Sequence, residues 1–355
     1  MYKLKVYIEN EPKHKRKDIH NVGGMIMSEK HKKIFSSIIY SFVYSFFSLF
    51  LALSCNNKKS ISIVSYNTQT FFDAIDDGRE FKDFKKERHK WNKEAYDVRL
   101  NRMLEAIRIC SSELEDDSLP DILALQEVES EEVVKDLCKK LDAKDSYKDA
   151  VFIRSDEFIP FSTAILSKHK ILRATSHNVY ASHRILRPII EADLLLNIRG
   201  KDVLITVFAV HWKSKRDGSK RMRAMQEELL HKRIKVKEKT SDYVIALGDF
   251  NQNIDEFSKM QNLNNAWQLY ENKTFDEFEC ADASLGSYSY KGKWERIDHI
   301  FYLENPTKKN LFKASKFFVP SIYPLIANGK INRYNIDTGE GYSDHLPIGL
   351  LLEAL

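Results

Sequence analysis

The chain is poor in cysteine. Its 355 residues contain four, at positions 55, 110, 138 and 280, and no two of them have C-x-x-C spacing. Cys55 directly follows a long apolar segment and is treated with it below, so three cysteines remain. An odd number without paired spacing argues against a disulfide framework and against a structural zinc site. We therefore expect Cys110, Cys138 and Cys280 to be buried or free thiols.

Net charge is also missing from most of the chain. The formal net charge is +5 at pH 7, and residues 1–33 contain nine Lys or Arg against four Asp or Glu. That segment alone accounts for +5, so everything after Lys33 sums to zero. The sequence pI of about 8.7 is therefore no evidence for a polyanionic partner, and only local clusters of charge can indicate one.

No internal repeat, low-complexity tract or long Gly/Pro/Ser linker interrupts the chain after residue 60. A hydrophobic content of 43% can form a sizeable core, which excludes disorder over most of the length. Apolar runs of strand length, typical of strands covered on both faces, lie at 61–66, 122–125, 162–166, 189–198, 203–210, 243–247 and 297–302. Helical apolar spacing lies at 100–107, 133–141 and 222–229. This alternation predicts one α/β domain over residues 61–355.

The amino-terminal region has the features of an export signal. Three lysines at 30, 32 and 33 precede residues 34–54, which carry no charge and end at Cys55. A basic region, an apolar region and a small residue before a cysteine resemble a bacterial lipoprotein signal, in which Cys55 is lipidated. The pattern departs from the usual one, because Ala52 stands three places before the cysteine where Leu is expected. The alternative is an uncleaved anchor, since about 20 apolar residues span a bilayer.

Either interpretation predicts a domain that is exported and membrane-associated outside the cytoplasm. We assign residues 25–55 to the signal or anchor and residues 56–60 to a short polar tether. Residues 1–24 are expected to be a disordered, over-extended start, because Met25 or Met27 would be a more natural first residue.

Four segments place acidic, amide or imidazole side chains at the end of an apolar run, where α/β sheets expose functional groups. They are Ser65-Tyr66-Asn67, Leu125-Gln126-Glu127-Val128, Gly248-Asp249-Phe250-Asn251 and Ser343-Asp344-His345-Leu346-Pro347. A hard divalent cation such as Mg2+ prefers oxygen ligands and keeps several waters, so one or two carboxylates suffice to bind it. Taken singly, each segment also fits an ordinary surface residue or turn.

The spacing within these segments constrains their geometry. Asp249 and Asn251 are two residues apart and point to the same side of an extended backbone. Asp344 and His345 are adjacent and would face opposite ways on a regular strand. They can share a site only at a bend, which Pro347 makes feasible.

A basic segment follows the apolar run that ends before His211. Residues 212–223 have a local net charge of +5, from Lys213, Lys215, Arg216, Lys220, Arg221 and Arg223 against Asp217. The segment fits either a rim that tracks a phosphate backbone or the solvated start of a helix. Further along, Tyr288, Tyr290 and Trp294 could stack on bases, or pack as strand aromatics.

Taken together and in order along the chain, these residues resemble the endonuclease/exonuclease/phosphatase superfamily, the DNase I-like metal-dependent phosphoesterases. The matching positions are Asn67, Glu127, Arg187, His211, Asp249 with Asn251, Asp298, and Asp344 with His345. The resemblance spans nearly the whole domain. It implies a four-layer α/β sandwich, with two mixed β-sheets face to face flanked by helices, and phosphoester hydrolysis assisted by one metal ion.

The resemblance also implies how the acidic and amide positions are divided. Glu127 and Asn67 would hold the metal, with Asp344 near it, and the metal would be Mg2+, with Mn2+ or Ca2+ as alternatives. Asp249 and Asn251 would orient and activate the attacking water.

The basic positions are divided in the same way. His345 would contact the scissile phosphate, and Asp298 would hold its imidazole in the useful tautomer. In the DNase I branch, His211 would protonate the leaving oxygen. Arg187 would contact substrate phosphate, although a surface arginine fits its sequence context nearly as well.

These residues favour a nuclease acting on DNA or RNA, because the run from His211 to Lys215 resembles that of secreted bacterial nucleases. Lys213, Lys215 and Arg216 would contact the phosphate backbone. One alternative is a phospholipid-directed enzyme of the sphingomyelinase or phosphoinositide phosphatase type. That alternative predicts an exposed apolar loop, and none stands out after Cys55. Another is a non-catalytic surface binding protein, which would be expected to have lost some of these residues. We expect a monomer without an obligate protein partner.

Overall fold

The computed structural model describes residues 60–85, 90–114, 117–141, 146–154, 159–181, 184–216, 219–271, 286–305 and 311–355. The expected over-extended start, the signal with Cys55, and Cys280 lie outside the described residues. Ser60, expected to end the tether, is the first residue of a strand. Cys110 and Cys138 are free thiols, Cys110 buried and Cys138 partly so, as predicted.

Two six-stranded mixed sheets form the centre of the molecule. The first has the order β13 (Phe312–Phe318), β16 (Ile348–Ala354), β1 (Ser60–Phe71), β2 (Ile122–Val128), β4 (Ser162–Ser167), β3 (Asp149–Phe152). The second has the order β5 (Lys170–Ala181), β6 (Arg184–Ile198), β7 (Lys201–His211), β8 (Tyr243–Asp249), β12 (Asp298–Glu304), β9 (Asn264–Asn265). Two short ribbons pair β10 (Tyr288–Tyr290) with β11 (Lys293–Glu295) and β14 (Ile326–Ala327) with β15 (Lys330–Ile331).

Helices cover the outer faces of the sheets. They are α1 (Lys93–Ser111), α2 (Glu131–Lys139) and α3 (Lys220–Lys237), whereas the short α4 (Trp267–Glu271) contacts β13 of the first sheet and β9 of the second. The side chains of Asn92 and Ser130 cap the first two by accepting backbone N–H bonds, which satisfies donors that a helix start leaves free. In the described part of the chain, no helix is long and apolar enough to cross a membrane.

Alternating residues of β7 show the layering. Val207 and Ala209 belong to the same core cluster as Ile63 of the first sheet, whereas Phe208 and Val210 pack in a second cluster with Ile234 of α3. Adjacent strand residues face opposite sides of a sheet, so the second sheet is buried on both faces. The predicted four-layer sandwich is confirmed.

The strands meet at two ends, here named the rim and the base. The rim is the end at which β1, β2, β7 and β8 finish. β1 runs parallel to β2, and β7 runs parallel to β8. The carboxyl ends of all four strands therefore lie at the rim. The base is the opposite end, where Tyr243 of the second sheet donates its hydroxyl to the Phe312 carbonyl of the first.

Candidate active site

The rim brings together predicted residues from both sheets. Asn67 of β1 donates from Nδ2 to Asp249 Oδ2 of β8 at 3.1 Å. His211 of β7 places Nε2 3.6 Å from that same carboxylate oxygen and 3.6 Å from Glu127 Oε1 of β2. Four strand ends therefore converge on one small polar region between the sheets.

Irregular backbone shapes these strand ends. Gln69, Thr70, Glu127 and Asn251 all have left-handed φ angles, between 50° and 61°, a conformation that non-glycine residues avoid. The register of β1 against β2 shifts between Asn67 and Phe71. As a result the Thr70 N–H donates to Glu127 Oε2 at 2.6 Å, a contact that a regular strand would not make.

Gly248 allows β8 to approach β7 closely. Its φ is 140°, and a Cβ there would lie 2.0 Å from the Val210 carbonyl oxygen. The close approach places Asp249 directly opposite His211. Asn251 then holds the Asp249 carboxylate, donating from its backbone N–H to Oδ1 at 2.8 Å and from Nδ2 to Oδ2 at 3.0 Å.

His345 forms a buried pair with Asp298. Its Nδ1 lies 2.8 Å from Asp298 Oδ2, which leaves Nε2 as the ring nitrogen that can reach a substrate. Ser287 donates its hydroxyl to the same Asp298 oxygen at 2.6 Å. The expected bend at Asp344 and His345 is present: the Ser343 hydroxyl accepts from the His345 N–H and donates to the Asn67 carbonyl.

Charge is distributed unevenly over this region. Burial opposes protonation of His345, but Asp298, Asp249 and Asp344 raise its pKa to about 10. Burial and the charge of Asp298 raise the pKa of Asp249 to about 7, although His345 opposes this. The His345 imidazole is therefore protonated at neutral pH, as one half of an ion pair with Asp298, and Asp249 can exchange a proton there.

The carboxylate and amide oxygens at the rim are suitable ligands for a divalent cation. Burial raises the pKa of Glu127, Arg187 opposes the shift, and the nearby Asp344 carboxylate adds to it. Glu127 and Asp249 are thus carboxylates whose negative charge is poorly solvated, and the amide of Asn67 donates to Asp249. A hard cation with several oxygen ligands offsets such charge, so these residues fit the predicted metal.

His211 differs from His345 in its environment. It is buried, and its Nδ1 has no hydrogen-bond partner among the described residues. Burial, the Arg187 guanidinium and His345 hold its pKa well below the usual value, so the imidazole is neutral in the substrate-free protein. Arg187 donates to the Trp212 carbonyl at 3.0 Å, which places it at the site rather than on a remote surface.

In the basic segment, residues 212–223, some of the cationic side chains already have partners within the protein. Lys215 Nζ pairs with Glu256 at 3.0 Å and with Glu295 at 3.2 Å. Arg223 is buried and donates to the Lys213 carbonyl and to Ser219. Arg216 is exposed. Two carboxylates thus share the charge of Lys215, and its contact with substrate phosphate stays a prediction.

Several residues at the rim carried no clear signal in the sequence. The Tyr288 ring lies over His345, with centroids 4.6 Å apart and planes at 33°. The guanidinium of Arg333 is 3.6 Å from the Asp344 carboxylate. Tyr288 begins a short ribbon that no apolar run predicts, and Ser287 directly precedes it, although Tyr288 was considered as an aromatic. Of its neighbours, Tyr290 is exposed and Trp294 packs against the core.

Known proteins share this architecture. A family model described as "Endonuclease/Exonuclease/phosphatase family" matches residues 62–354. The structure of truncated Caenorhabditis elegans TDP2 superposes with a TM-score of 0.52 at 19% identity, covering 83% of this chain and 98% of that one. D. rerio TDP2 complexed with single strand DNA product superposes with a TM-score of 0.51 at 16% identity, covering 83% and 99%. At these identities the likeness concerns the fold. No curated protein matches the sequence.

Proposed function

The chain belongs to the endonuclease/exonuclease/phosphatase family, whose members are metal-dependent phosphoester hydrolases, and we propose that it is an exported, membrane-tethered, Mg2+-dependent phosphodiesterase that cleaves nucleic acid. One observation carries the proposal. The buried His345–Asp298 pair lies in the same polar region as Asp249, and Asn67, which donates to Asp249, pairs with Gln126, the neighbour of Glu127. A protonated imidazole, a proton acceptor and oxygen ligands are thereby placed around one polar region of the rim.

Asp249 is the proposed proton acceptor for the attacking water. Asn67 and Asn251 fix its carboxylate from two sides, which orients it without neutralising it. A divalent cation held by Glu127, with Asn67 and Asp344 near it, would supply charge neutralisation for the phosphate.

Two histidines and an arginine complete the arrangement. His345, protonated because of its carboxylate neighbours, donates from Nε2 to a phosphate oxygen and stabilises the negative charge that develops there. His211 is neutral until substrate binds, and the negative charge of a phosphodiester favours its protonated form. It then protonates the leaving oxygen, while Arg187 contributes a fixed positive charge beside it.

Nucleic acid is the proposed substrate because exposed basic groups border the rim. Arg216 is exposed and Lys213 partly exposed, just beyond the end of β7. Backbone phosphates of DNA or RNA are contacted by such groups without regard to sequence. D. rerio TDP2, which shares the fold, has been seen with a single-strand DNA product.

The expected tether also favours a soluble substrate. Four residues separate Cys55 from Ser60, at the base end of β1, and such a segment reaches about 18 Å at most. From Ser60 to Asn67, β1 extends about 23 Å further toward the rim. A domain anchored at Cys55 would hold its base toward the membrane and its rim away from that membrane's lipids.

A phospholipid substrate is a second candidate, favoured by one feature that was not evident in the sequence. The loop after the rim end of β13 exposes Ile322 by 50% and Tyr323 by 81%. Exposed apolar side chains of this kind can insert into a lipid surface. A membrane facing the rim, rather than the membrane holding the tether, would be the target in that case.

The test offers the full chain in detergent four substrates with Mg2+, Mn2+ or Ca2+: plasmid DNA, RNA, sphingomyelin and a phosphomonoester. We expect nucleic acid to be cut and the other two to survive. Cleavage of sphingomyelin alone would replace the nuclease proposal with the lipid one.

Asp249→Asn and His345→Ala serve as inactive controls, because contaminating nuclease would persist in both preparations. If no substrate is turned over by the unaltered chain under any of the three metals, a non-catalytic binding protein becomes the better description.

A further inference from the structure

A strained stretch of β1 supports the proposed metal site. Gln69 and Thr70 are consecutive residues with φ angles of 52° and 54°. A left-handed φ is unfavourable for a residue other than glycine, and it persists only where the surroundings hold it. The Thr70 N–H donates directly to Glu127 Oε2, so any loosening of this stretch would release the carboxylate.

A buried arginine from a distant helix holds the stretch. Arg99 of α1 is 2% exposed, and its Nη2 donates to the Thr68 carbonyl at 2.5 Å and to the Gln69 carbonyl at 2.8 Å. Its guanidinium carbon lies 3.5 Å from the centroid of the Tyr334 ring. Within the described ranges, no carboxylate lies at ion-pair distance from it. A buried cation is costly, and here carbonyl dipoles and a π face stabilise it.

Gln69 extends the same set of contacts to the other side of the stretch. Its side chain exchanges two hydrogen bonds with the backbone of Tyr334, at 3.1 and 3.0 Å. Its backbone N–H donates to Asn67 Oδ1 at 3.0 Å, and the Asn67 amide in turn reaches Asp249. The strained stretch of β1 thus connects Arg99 to both sheets at the rim.

We propose that Arg99 is a positioning residue for the metal site, which fixes the Thr70 N–H against Glu127 and the side chain of Asn67 by holding the Thr68 and Gln69 carbonyls. The inference rests on the proposed function, because it assumes that Glu127 and Asn67 bind the cation. Residues that orient metal ligands without touching the metal typically change metal affinity by about 10- to 100-fold when replaced.

The test compares Arg99→Met with Arg102→Met in the full chain in detergent. Arg102 is a matched control: it lies one turn along α1, donates to the Gly339 carbonyl at 2.9 Å and has its guanidinium 5.6 Å from the Tyr342 ring. No hydrogen bond joins it to Thr68, Gln69 or Thr70. Isothermal titration with Mg2+ measures binding, and urea unfolding measures stability. We expect Arg99→Met to bind Mg2+ at least about 10-fold more weakly, and Arg102→Met to bind it as the unaltered chain does.

Equal Mg2+ affinity in Arg99→Met and the unaltered chain would overturn the inference, whatever the loss of stability. If Arg99→Met does not fold, Gln69→Ala and Arg99→Lys take its place, because each keeps part of the contacts. Unchanged Mg2+ binding in both would equally overturn it. A chain that binds Mg2+ in an Arg99-dependent way but leaves nucleic acid uncut refutes the proposed substrate while the inference stands. If the unaltered chain binds no Mg2+, the inference falls with the proposed metal site.

Discussion

Two aspartates stand at opposite ends of β8. Asp242, just before the strand at the base, accepts the Leu204 backbone N–H of β7 through Oδ2 at 2.7 Å. Asp249, the last residue of the strand at the rim, accepts two side-chain amides and one backbone N–H, and burial raises its pKa to about 7. Asp121 repeats the base arrangement before β2, accepting the backbone N–H and hydroxyl of Ser62.

The difference shows that an acid beside an apolar run has two distinct uses. At the base, the carboxylate caps a backbone donor of the neighbouring strand, so its charge is satisfied where it lies. At the rim, Glu127 and Asp249 lie at the carboxyl ends of β2 and β8 and are brought toward one another, and a bound cation would neutralise their charge. Strand direction separates the two cases, since functional groups gather at the carboxyl ends of parallel strands.

The strongest test of this comparison replaces Asp242 and Asp249, one at a time, with asparagine. We expect Asp249→Asn to reduce kcat by about 10³-fold or more, because the proton acceptor is lost. Asp242→Asn should leave kcat unchanged and cost about 1 kcal/mol of stability, through its weakened bond to Leu204. Steady-state nuclease assays and urea unfolding measure the two effects. A similar loss of kcat in both variants would contradict a catalytic role that is specific to the aspartate at the rim.

Glycines at the two ends provide the next test. A Cβ at Gly248 would meet the Val210 carbonyl at 2.0 Å, and φ there is 140°. Gly200, in the base turn, has φ of 78° and nothing within 4 Å. We expect Gly248→Ala to lose about 3 kcal/mol or more of unfolding free energy, and Gly200→Ala about 1 kcal/mol. Urea unfolding of the two purified variants measures both losses. Equal losses of unfolding free energy would show that β7 and β8 can move apart to accommodate a Cβ at little cost.

The pattern of apolar runs predicts the central strands, the helices α1 to α3 and the positions of Asn67, Glu127 and Asp249, because these depend on local periodicity and on strand ends. It does not predict which side chains pair across the rim. Ser287, just before a separate ribbon, reaches Asp298, and Arg99 reaches β1 from a helix 30 residues away. Such contacts depend on how the layers pack, which local sequence does not encode.

The pH dependence of stability should also differ between a variant at the rim and a variant at the base. Asp298 and its neighbours raise the pKa of His345 from 6.5 to about 10, so the imidazolium contributes stability that is complete below about pH 6.5 and lost as pH rises through 10. We expect the metal-free chain to lose stability between pH 7 and 10, and His345→Gln to lose less. Asp242→Asn should keep the wild-type slope. Urea midpoints in EDTA at several pH values measure it, and equal slopes for His345→Gln and wild type would contradict the assignment.

The smallest effect concerns the exposed cations at the two ends. Arg216 borders the rim, and Lys170 starts β5 at the base, both exposed. If nucleic acid binds along the rim, Arg216→Ala should lower the slope of log affinity against log salt by about 1, because one phosphate contact releases one counterion fewer. Lys170→Ala should leave the slope unchanged. Fluorescence anisotropy with single-stranded DNA, in an Asp249→Asn background that does not cut it, measures both. Equal slopes for the two variants would mean that Arg216 contacts no phosphate, and the substrate would then have to be sought through the exposed Ile322 and Tyr323 instead.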